Sequence, residues 1–430
     1  MIKRYEKGVF FFTLFAIILQ TGKHFWPPFS YVDALRIDYL SPILYLSDIS
    51  IGVLFLFSLI SWFKQKTKTF SLLFSPLFLG TLAVLFLSTV SAINIPEAIY
   101  GDIKTFEFIF FGLYTYRFFQ HHSLKPLSYI FSLSAGIVSL LAIAQFVLQQ
   151  SVGGLFYFLG ERTFTASTLN IATFHLQGHS VLRPYATFPH PNVLAFFLLF
   201  SLVIIVMGVI QETDDLRKVV MWSVCFISSI ALLITFSRVT LLCFLFLFGY
   251  FCFTFVKEEK KRILFILVFL VMILFCLPLL IGRLFDTPLL YRDFFFRESL
   301  ASIAFFIIQK NLFFGVGINN FFFHELPFQK TISPIFLQPV HSIYLLIASE
   351  TGIAGLFLFV WFLVKTFLKD KKKRTSNFKR VVFLLLISSL FIGLFDHFYL
   401  TLQQGQLMLS FLLGLVWSVK GSGQKELVSS

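Results

Sequence analysis

Charge is scarce in this chain. Asp, Glu, Lys and Arg together make up only 13% of its 430 residues, hydrophobic residues make up 57%, and the mean hydropathy is +0.86, which excludes an ordinary soluble domain. Cysteine is scarcer still. Cys225, Cys243, Cys252 and Cys276 all lie inside apolar runs at no metal-ligand spacing, so neither a disulfide framework nor a zinc site is suggested. No run of His, Asp, Glu and Cys has the ligand number or spacing of a catalytic metal site, and the reading carries no cofactor. The chain has no internal repeat, no low-complexity linker and no separable soluble domain, so residues 1–430 read as one integral membrane domain.

What the chain has instead is apolar runs, each long enough to cross about 30 Å of hydrocarbon as a helix of roughly 17 to 25 residues. The first, "GVFFFTLFAIILQ" after "MIKRYEK", is followed by no small-residue cleavage site and by many further runs, so it reads as the first helix and not a signal sequence. The 63 phenylalanines read as lipid-facing bulk. Spans are expected near residues 8–22, 43–63, 70–93, 103–119, 127–149, 192–210, 218–236, 240–256, 262–282, 343–364, 380–396 and 403–419. The fold class is therefore an all-α polytopic membrane protein of about 12 transmembrane helices.

The net charge of +14 is a topology signal and not a nucleic-acid footprint. With the amino terminus cytoplasmic, alternate connections carry "KRYEK", "KQKTK", "RFFQHHSLK", "ETDDLRK", "KEEKKR", "KTFLKDKKKRTSNFKR" and the tail lysines, about two thirds of all Lys and Arg, as positive charge on cytoplasmic loops requires. Both termini then face the cytoplasm of a plasma membrane protein. Two long connections, 150–191 and 283–342, fall on the extracytoplasmic side and are expected to carry much of the working site. Within the second, "RESLASIAFFIIQK" at 297–310 is apolar but short for a span and is expected to form an interfacial or re-entrant helix. Residues 218–256 are apolar except for Ser237 and Arg238. As one helix they would be nearly twice the bilayer thickness, so two spans joined by an external hairpin are expected, with Arg238 at the mouth.

Four polar clusters gather on that external side: Arg183, His190 and Asn192 in "RPYATFPHPNVLAFF"; Ser237 with Arg238; Arg292 and Arg297 followed by Gly315 and Gly317 in "NLFFGVGINNFFF"; and His341, Tyr344 and Glu350 in "VHSIYLLIASETGIAG". Arginines placed against the charge bias need a local reason. A guanidinium is a permanently charged planar fork suited to phosphate oxygens, so a membrane-bound diphosphate is a natural ligand, with snorkelling to headgroups as the bland alternative. His341 is suited to general-base work near neutral pH, or else it is a helix-mouth histidine bonded to a carbonyl. Tyr344 shares its face one turn later. Glu350 lies about 180 degrees around a continuous helix from His341. The glycines of "SETGIAG" suggest a break there, with Glu350 satisfying exposed amides or a basic group. Asp396 and His397, beside Gln403 and Gln404, offer a distal acceptor contact.

At these residues the sequence resembles the O-antigen ligase and polymerase superfamily. The matching stretches, in order, are "RPYATFPHPNVLAFFLLFSL", "ITFSRVTLLCFLFLFG", "NLFFGVGINNFFF" and "VHSIYLLIASETGIAGLFLF", covering roughly residues 180–365. The resemblance implies a metal-independent membrane glycosyltransferase of the C type, working at an extracytoplasmic site without a nucleotide sugar. Its donor would be a polyprenyl-diphosphate-linked glycan and its acceptor a glycan, lipid or protein hydroxyl, with membrane lipids around it and no nucleic acid. It implies catalytic roles for His341, Arg238 and Arg297; Arg183, Asn192, Tyr344, Gly315 and Gly317 are the candidate substrate-binding residues. The sequence departs from the family pattern at Ser342, where an asparagine often follows the histidine, and in "RESL", which lacks an obvious aromatic. A transporter or flippase of lipid-linked glycans is the alternative class. It would be expected to place its charges near the bilayer midplane in paired halves. A catalytically inert partner of a glycan-export complex is a third.

Overall fold

The computed structural model describes residues 2–32, 35–65, 75–176, 179–284, 287–329, 337–369 and 377–418. The basic stretches at 66–74 and 370–376 and the tail lysines lie outside the described residues. Sixteen α-helices are described: α1 (Ile2–Ala16), α2 (Leu46–Gln65), α3 (Pro76–Val90), α4 (Ile95–His121), α5 (Lys125–Leu148), α6 (Leu155–Phe158), α7 (Pro191–Val209), α8 (Asp215–Ile234), α9 (Arg238–Phe255), α10 (Glu259–Leu284), α11 (Thr287–Lys310), α12 (Phe321–Gln329), α13 (Ile343–Lys369), α14 (Asn377–Ile392), α15 (Phe398–Thr401) and α16 (Gln403–Ser418). Each of the twelve apolar segments expected from the sequence overlaps one of them. Among the described residues, α5, α7, α8, α9 and α13 are long and apolar enough to cross a membrane.

Local chemistry sets the helix starts. Pro76 follows Ser75, whose hydroxyl accepts from the Phe78 N–H at 3.3 Å, and Pro96 follows Asn94, whose side chain accepts from the Glu97 N–H at 3.3 Å. Asp214 accepts from the Arg217 N–H at 2.8 Å. These side chains satisfy amides that have no partner within the helix, and proline at the first turn has no amide to satisfy. The expected hairpin at Ser237 and Arg238 is present: α8 ends at Ile234, and Phe236 takes a left-handed φ of 52° before α9 begins.

The centre of the molecule is α7. Every residue from Val193 to Ile205 is buried, and α7 packs against α5, α8 and α16, as a helix apolar on all sides must. Its Phe196, Phe197 and Phe200 join Phe131, Phe398 and Phe411 in an aromatic core. The lipid-facing reading of phenylalanine therefore holds only for part of the set, such as the exposed Phe86, Phe246 and Phe253. Against α4, α16 closes at small residues: a Cβ on Gly414 would lie 2.5 Å from the Gly112 carbonyl, so the contact between the two helices requires glycine.

Three expectations change. The chain is not purely helical, because three two-stranded antiparallel ribbons occur in the connections: β1 (Gly22–His24) with β4 (Ile43–Tyr45), β2 (Tyr31–Val32) with β3 (Leu35–Arg36), and β5 (Thr173–Leu176) with β6 (His179–Leu182). The helix expected over residues 297–310 is longer, beginning at Thr287 as the 24-residue α11. Gln403, expected beside Asp396 and His397 as part of a distal contact, is engaged elsewhere in the protein; its amide donates to Ser47 at 3.1 Å and to Asp48, within an ion-pair network in which Lys104 meets Asp48 at 3.0 Å and Glu107 at 2.7 Å.

The break suspected near Glu350 is there, and its cause is backbone pairing. Gly352 sits inside α13 at φ 70° and ψ −177°, a conformation that essentially only glycine adopts. The carbonyls of Ser349 and Glu350 accept from the N–H groups of Val316 (3.1 Å) and Gly317 (2.8 Å), while the N–H groups of Ile353 and Ala354 donate to Leu312 (2.9 Å) and Phe313 (3.3 Å). The turn 311–317 thus supplies the hydrogen bonds that the broken helix lacks. The Glu350 carboxylate accepts from the backbone amides of Asn319 and Phe321, where α12 starts.

Candidate active site

A cavity of about 1260 Å³ opens among the ends of these helices. Its wall is built from the entry to α7, the turn between α8 and α9, one face of α11, the approach to α13, the link between α14 and α15, and the loop 166–173. Arg183, Asn192, Arg238, Arg297 and His341 all line it, together with His190, Asp396 and His397. Five of the eight candidate residues therefore share one space, although they come from positions 158 residues apart or less along the chain.

Tyr344, Gly315 and Gly317 do not line it. The Tyr344 hydroxyl donates to the Leu390 carbonyl at 3.0 Å. Gly315, at φ 66°, packs against the break in α13: a Cβ there would lie 2.4 Å from the Glu350 carbonyl carbon. Gly317, at φ 91°, would meet Ala92 at 2.6 Å. The glycine turn holds α13 in place rather than facing the cavity. The Arg292 side chain lies outside the described ones.

Arg183 and Asn192 are engaged with protein. The buried Arg183 donates from Nε to the Thr235 carbonyl and from a terminal nitrogen to the Asn192 Oδ1, both at 2.8 Å. The Asn192 amide in turn donates to the Asp396 Oδ2 at 2.7 Å, and the Asn192 backbone N–H donates to the His190 Nδ1 at 3.1 Å. His190 Nδ1 is therefore an acceptor, and the proton of that neutral ring is on Nε2. This relay ties the turn after α8 to the start of α7 and to the carboxylate that follows α14. Arg238 and Arg297 are placed differently. Arg238 is 3.9 Å from Asp293 with its side chain 40% exposed, and Arg297 donates to the Phe395 carbonyl at 3.2 Å. Among the described residues that line the cavity are three arginines, Arg183, Arg238 and Arg297, and two carboxylates, Asp293 and Asp396.

The histidines form a group. The rings of His341 and His397 are parallel within 8° and stacked with centroids 5.0 Å apart. His397 Nδ1 is 2.7 Å from the Thr401 hydroxyl, and its backbone N–H donates to the Asp396 Oδ1 at 2.8 Å. His341 Nδ1 is buried and has no hydrogen-bond partner among the described residues. Burial lowers the pKa of all three rings. His190 is brought down to about 3, first by burial and then by the charge of Arg183. His397 is brought to about 4 by burial, against the opposing pull of Asp396. His341 is lowered by burial and then by His397, again against Asp396. Burial acts to raise Asp396, but His397, His341 and His190 and the bond from Asn192 outweigh it and hold the carboxyl below the usual range. At neutral pH the group is thus three neutral imidazoles around one carboxylate. His341, Asp396 and His397 also offer ligand atoms all within 4.8 Å of one another, the composition of a possible cation site.

Sequence reading did not single out Tyr39, nor Asp293 and the residues of 166–173 within the connections expected to carry much of the site, and it gave Asp396 and His397 only a distal role. Nothing in "RIDYLSP" marks Tyr39, which reaches the cavity through tertiary packing alone.

Residues 223–360 match the O-antigen ligase family model. The match spans most of α8, all of α9 to α12 and the first part of α13, and so includes Arg238, Arg297 and His341. Arg183, Asn192, Asp396 and His397 line the same cavity from outside the matched stretch. No curated protein and no solved structure matches the chain. The O-antigen ligase match supports a membrane glycosyltransferase-like role in O-antigen assembly and the superfamily named from the motifs.

Proposed function

We propose that the protein transfers a glycan from a polyprenyl-diphosphate donor to an acceptor hydroxyl on a glycan, lipid or protein, at the extracytoplasmic face of the plasma membrane. The observation that carries this reading is the convergence of Arg238, Arg297 and His341, all within the O-antigen ligase match, on one cavity. Arg238 and Arg297 bind the diphosphate and neutralise it as it leaves. His341 accepts the proton of the acceptor hydroxyl. The acceptor oxygen attacks the anomeric carbon, the bond from that carbon to the diphosphate oxygen breaks with its electron pair, and a single displacement inverts the anomeric centre.

The electrostatics support these roles. Burial keeps His341 neutral in the free protein but weakens it as a base, so its role depends on the bound diphosphate, whose negative charge beside the ring raises its basicity and stabilises the imidazolium. Asp396 acts in the same sense. Arg183 and Asn192 serve this arrangement by holding Asp396 in place. The arginines supply the positive charge that a metal would otherwise supply, so the reaction is metal-independent. In this reading all twelve apolar segments cross the membrane, the connections 150–191 and 283–342 lie outside, and both termini lie in the cytoplasm.

The test is incubation of the purified protein with a polyprenyl-diphosphate glycan and candidate acceptors, with products identified by mass, in the presence and absence of EDTA. Transfer of the intact glycan in both conditions is expected. Loss of transfer with EDTA that a divalent ion restores would contradict metal independence and make His341, Asp396 and His397 the first residues to test as its ligands.

A further inference from the structure

We propose that Tyr39 is a positioning residue of this cavity, its ring setting the plane of His341 through the ring of His397. The inference rests on the assignment of His341 as the base. A histidine base is ordinarily oriented by a hydrogen bond to its second ring nitrogen, and the buried His341 Nδ1 has no such partner among the described residues. Something else must hold the ring, and what surrounds it is aromatic. Phe322 stacks on Tyr39 with centroids 5.6 Å apart and planes at 25°. Tyr39 meets His397 edge to face at 5.8 Å and 74°, His397 stacks on His341 at 5.0 Å, and Phe296 lies tilted at 58° to His341 at 6.5 Å. The rings form a continuous column from Phe322 to Phe296, with both histidines inside it.

Tyr39 comes from outside the matched stretch and is seated against residues inside it. Tyr39 lies in a short 3-10 turn, Asp38–Leu40, whose Ile37 and Leu40 are buried with Val32, Phe322 and Leu337. The following segment is pinned where the Ile43 N–H donates to the Tyr100 hydroxyl at 3.1 Å and where β4 pairs with β1. Burial is the main influence on the Tyr39 hydroxyl and raises its pKa, so the residue stays a neutral ring and not a phenolate near Asp396. An edge-to-face contact needs an aromatic partner of fixed orientation, and His397 is further fixed by Thr401. Removing the Tyr39 ring leaves the two stacked imidazoles free to tilt together. A base displaced by about 1 Å costs on the order of a hundredfold in rate.

Two variants that both fill the space separate the ring from mere bulk: Tyr39→Phe keeps the aromatic edge and Tyr39→Leu does not. In the transfer assay Tyr39→Leu is expected to lower kcat by about tenfold or more with the donor KM and the melting midpoint close to those of the parent. Tyr39→Phe should keep kcat within about twofold. Equal kcat for the two variants, or a fall in kcat matched by a rise in donor KM, overturns the inference, and so does a Tyr39→Leu protein that fails to accumulate, because it makes the ring a folding determinant. His341→Ala run in parallel separates the two levels. If it is nearly inactive while Tyr39→Leu turns over like Tyr39→Phe, only the ring column falls; if it retains parental kcat, the base assignment falls.

Discussion

His341 lies at the mouth of an apolar segment yet is half-buried, with its Nδ1 out of reach of solvent, and that burial has a readable consequence for its protonation. Its pKa in the folded protein is lowered from the ordinary 6.5, so the neutral, proton-accepting ring is fully populated at neutral pH and is lost only as the pH falls through that lowered value. The pH dependence of kcat/KM reports the free enzyme, and a diphosphate diester has no ionisation of its own near neutrality. The profile should therefore stay flat as pH falls from 7 past 6.5. An acid limb centred at or above 6.5 would show that the ring is solvated, or that another group is the base. His190 and His397 are lowered in the same direction. Each favours the folded protein above the unfolded pKa, and that contribution is lost as the pH drops from about 6.5 toward the folded values.

At the scale of elements, two sequence motifs that looked separate prove to be partners. "NLFFGVGINN" and "SETGIAG" exchange four backbone hydrogen bonds across the break in α13, so the glycines singled out as ligand contacts are there because the two backbones approach each other closely. Gly352→Ala is the direct probe. A Cβ at that position would lie 2.2 Å from the Phe313 carbonyl oxygen at a φ of 70°, and a strained residue of this kind costs about 1–3 kcal/mol before the clash is counted. The melting midpoint of the detergent-solubilised protein should fall by several degrees or more. Gly249→Ala, at a helical position with nothing within 4 Å of the added carbon, should leave it level or raise it. Equal midpoints for the two variants would mean that the break tolerates a side chain and that the pairing is not what holds α13.

On the scale of the whole molecule, helices were legible because apolar runs of fixed length leave few alternatives, and the break after Ile234 was legible because two charge-flanked apolar runs cannot be one helix. The ribbons at Gly22–His24 and Thr173–Leu176 were not, since strands of three or four residues with no alternation carry no pattern to read. The same division holds at the site. Arg238, Arg297 and His341 stood out because charge in an apolar chain needs a reason. Asp396 and His397 were visible but could not be joined to His341, because their proximity depends on how α14 returns beside α13. Tyr39 carries no local signal at all. The measurement that bears most directly on the account is turnover of His341→Ala in the purified system, beside Arg238→Lys. The account predicts that His341→Ala loses roughly a hundredfold to ten-thousandfold in kcat with donor binding little changed, and recovers in part as pH is raised. Arg238→Lys, which keeps the charge but loses the fork, should weaken donor binding and turnover together with no such recovery. Near-parental turnover of a folded His341→Ala would contradict it.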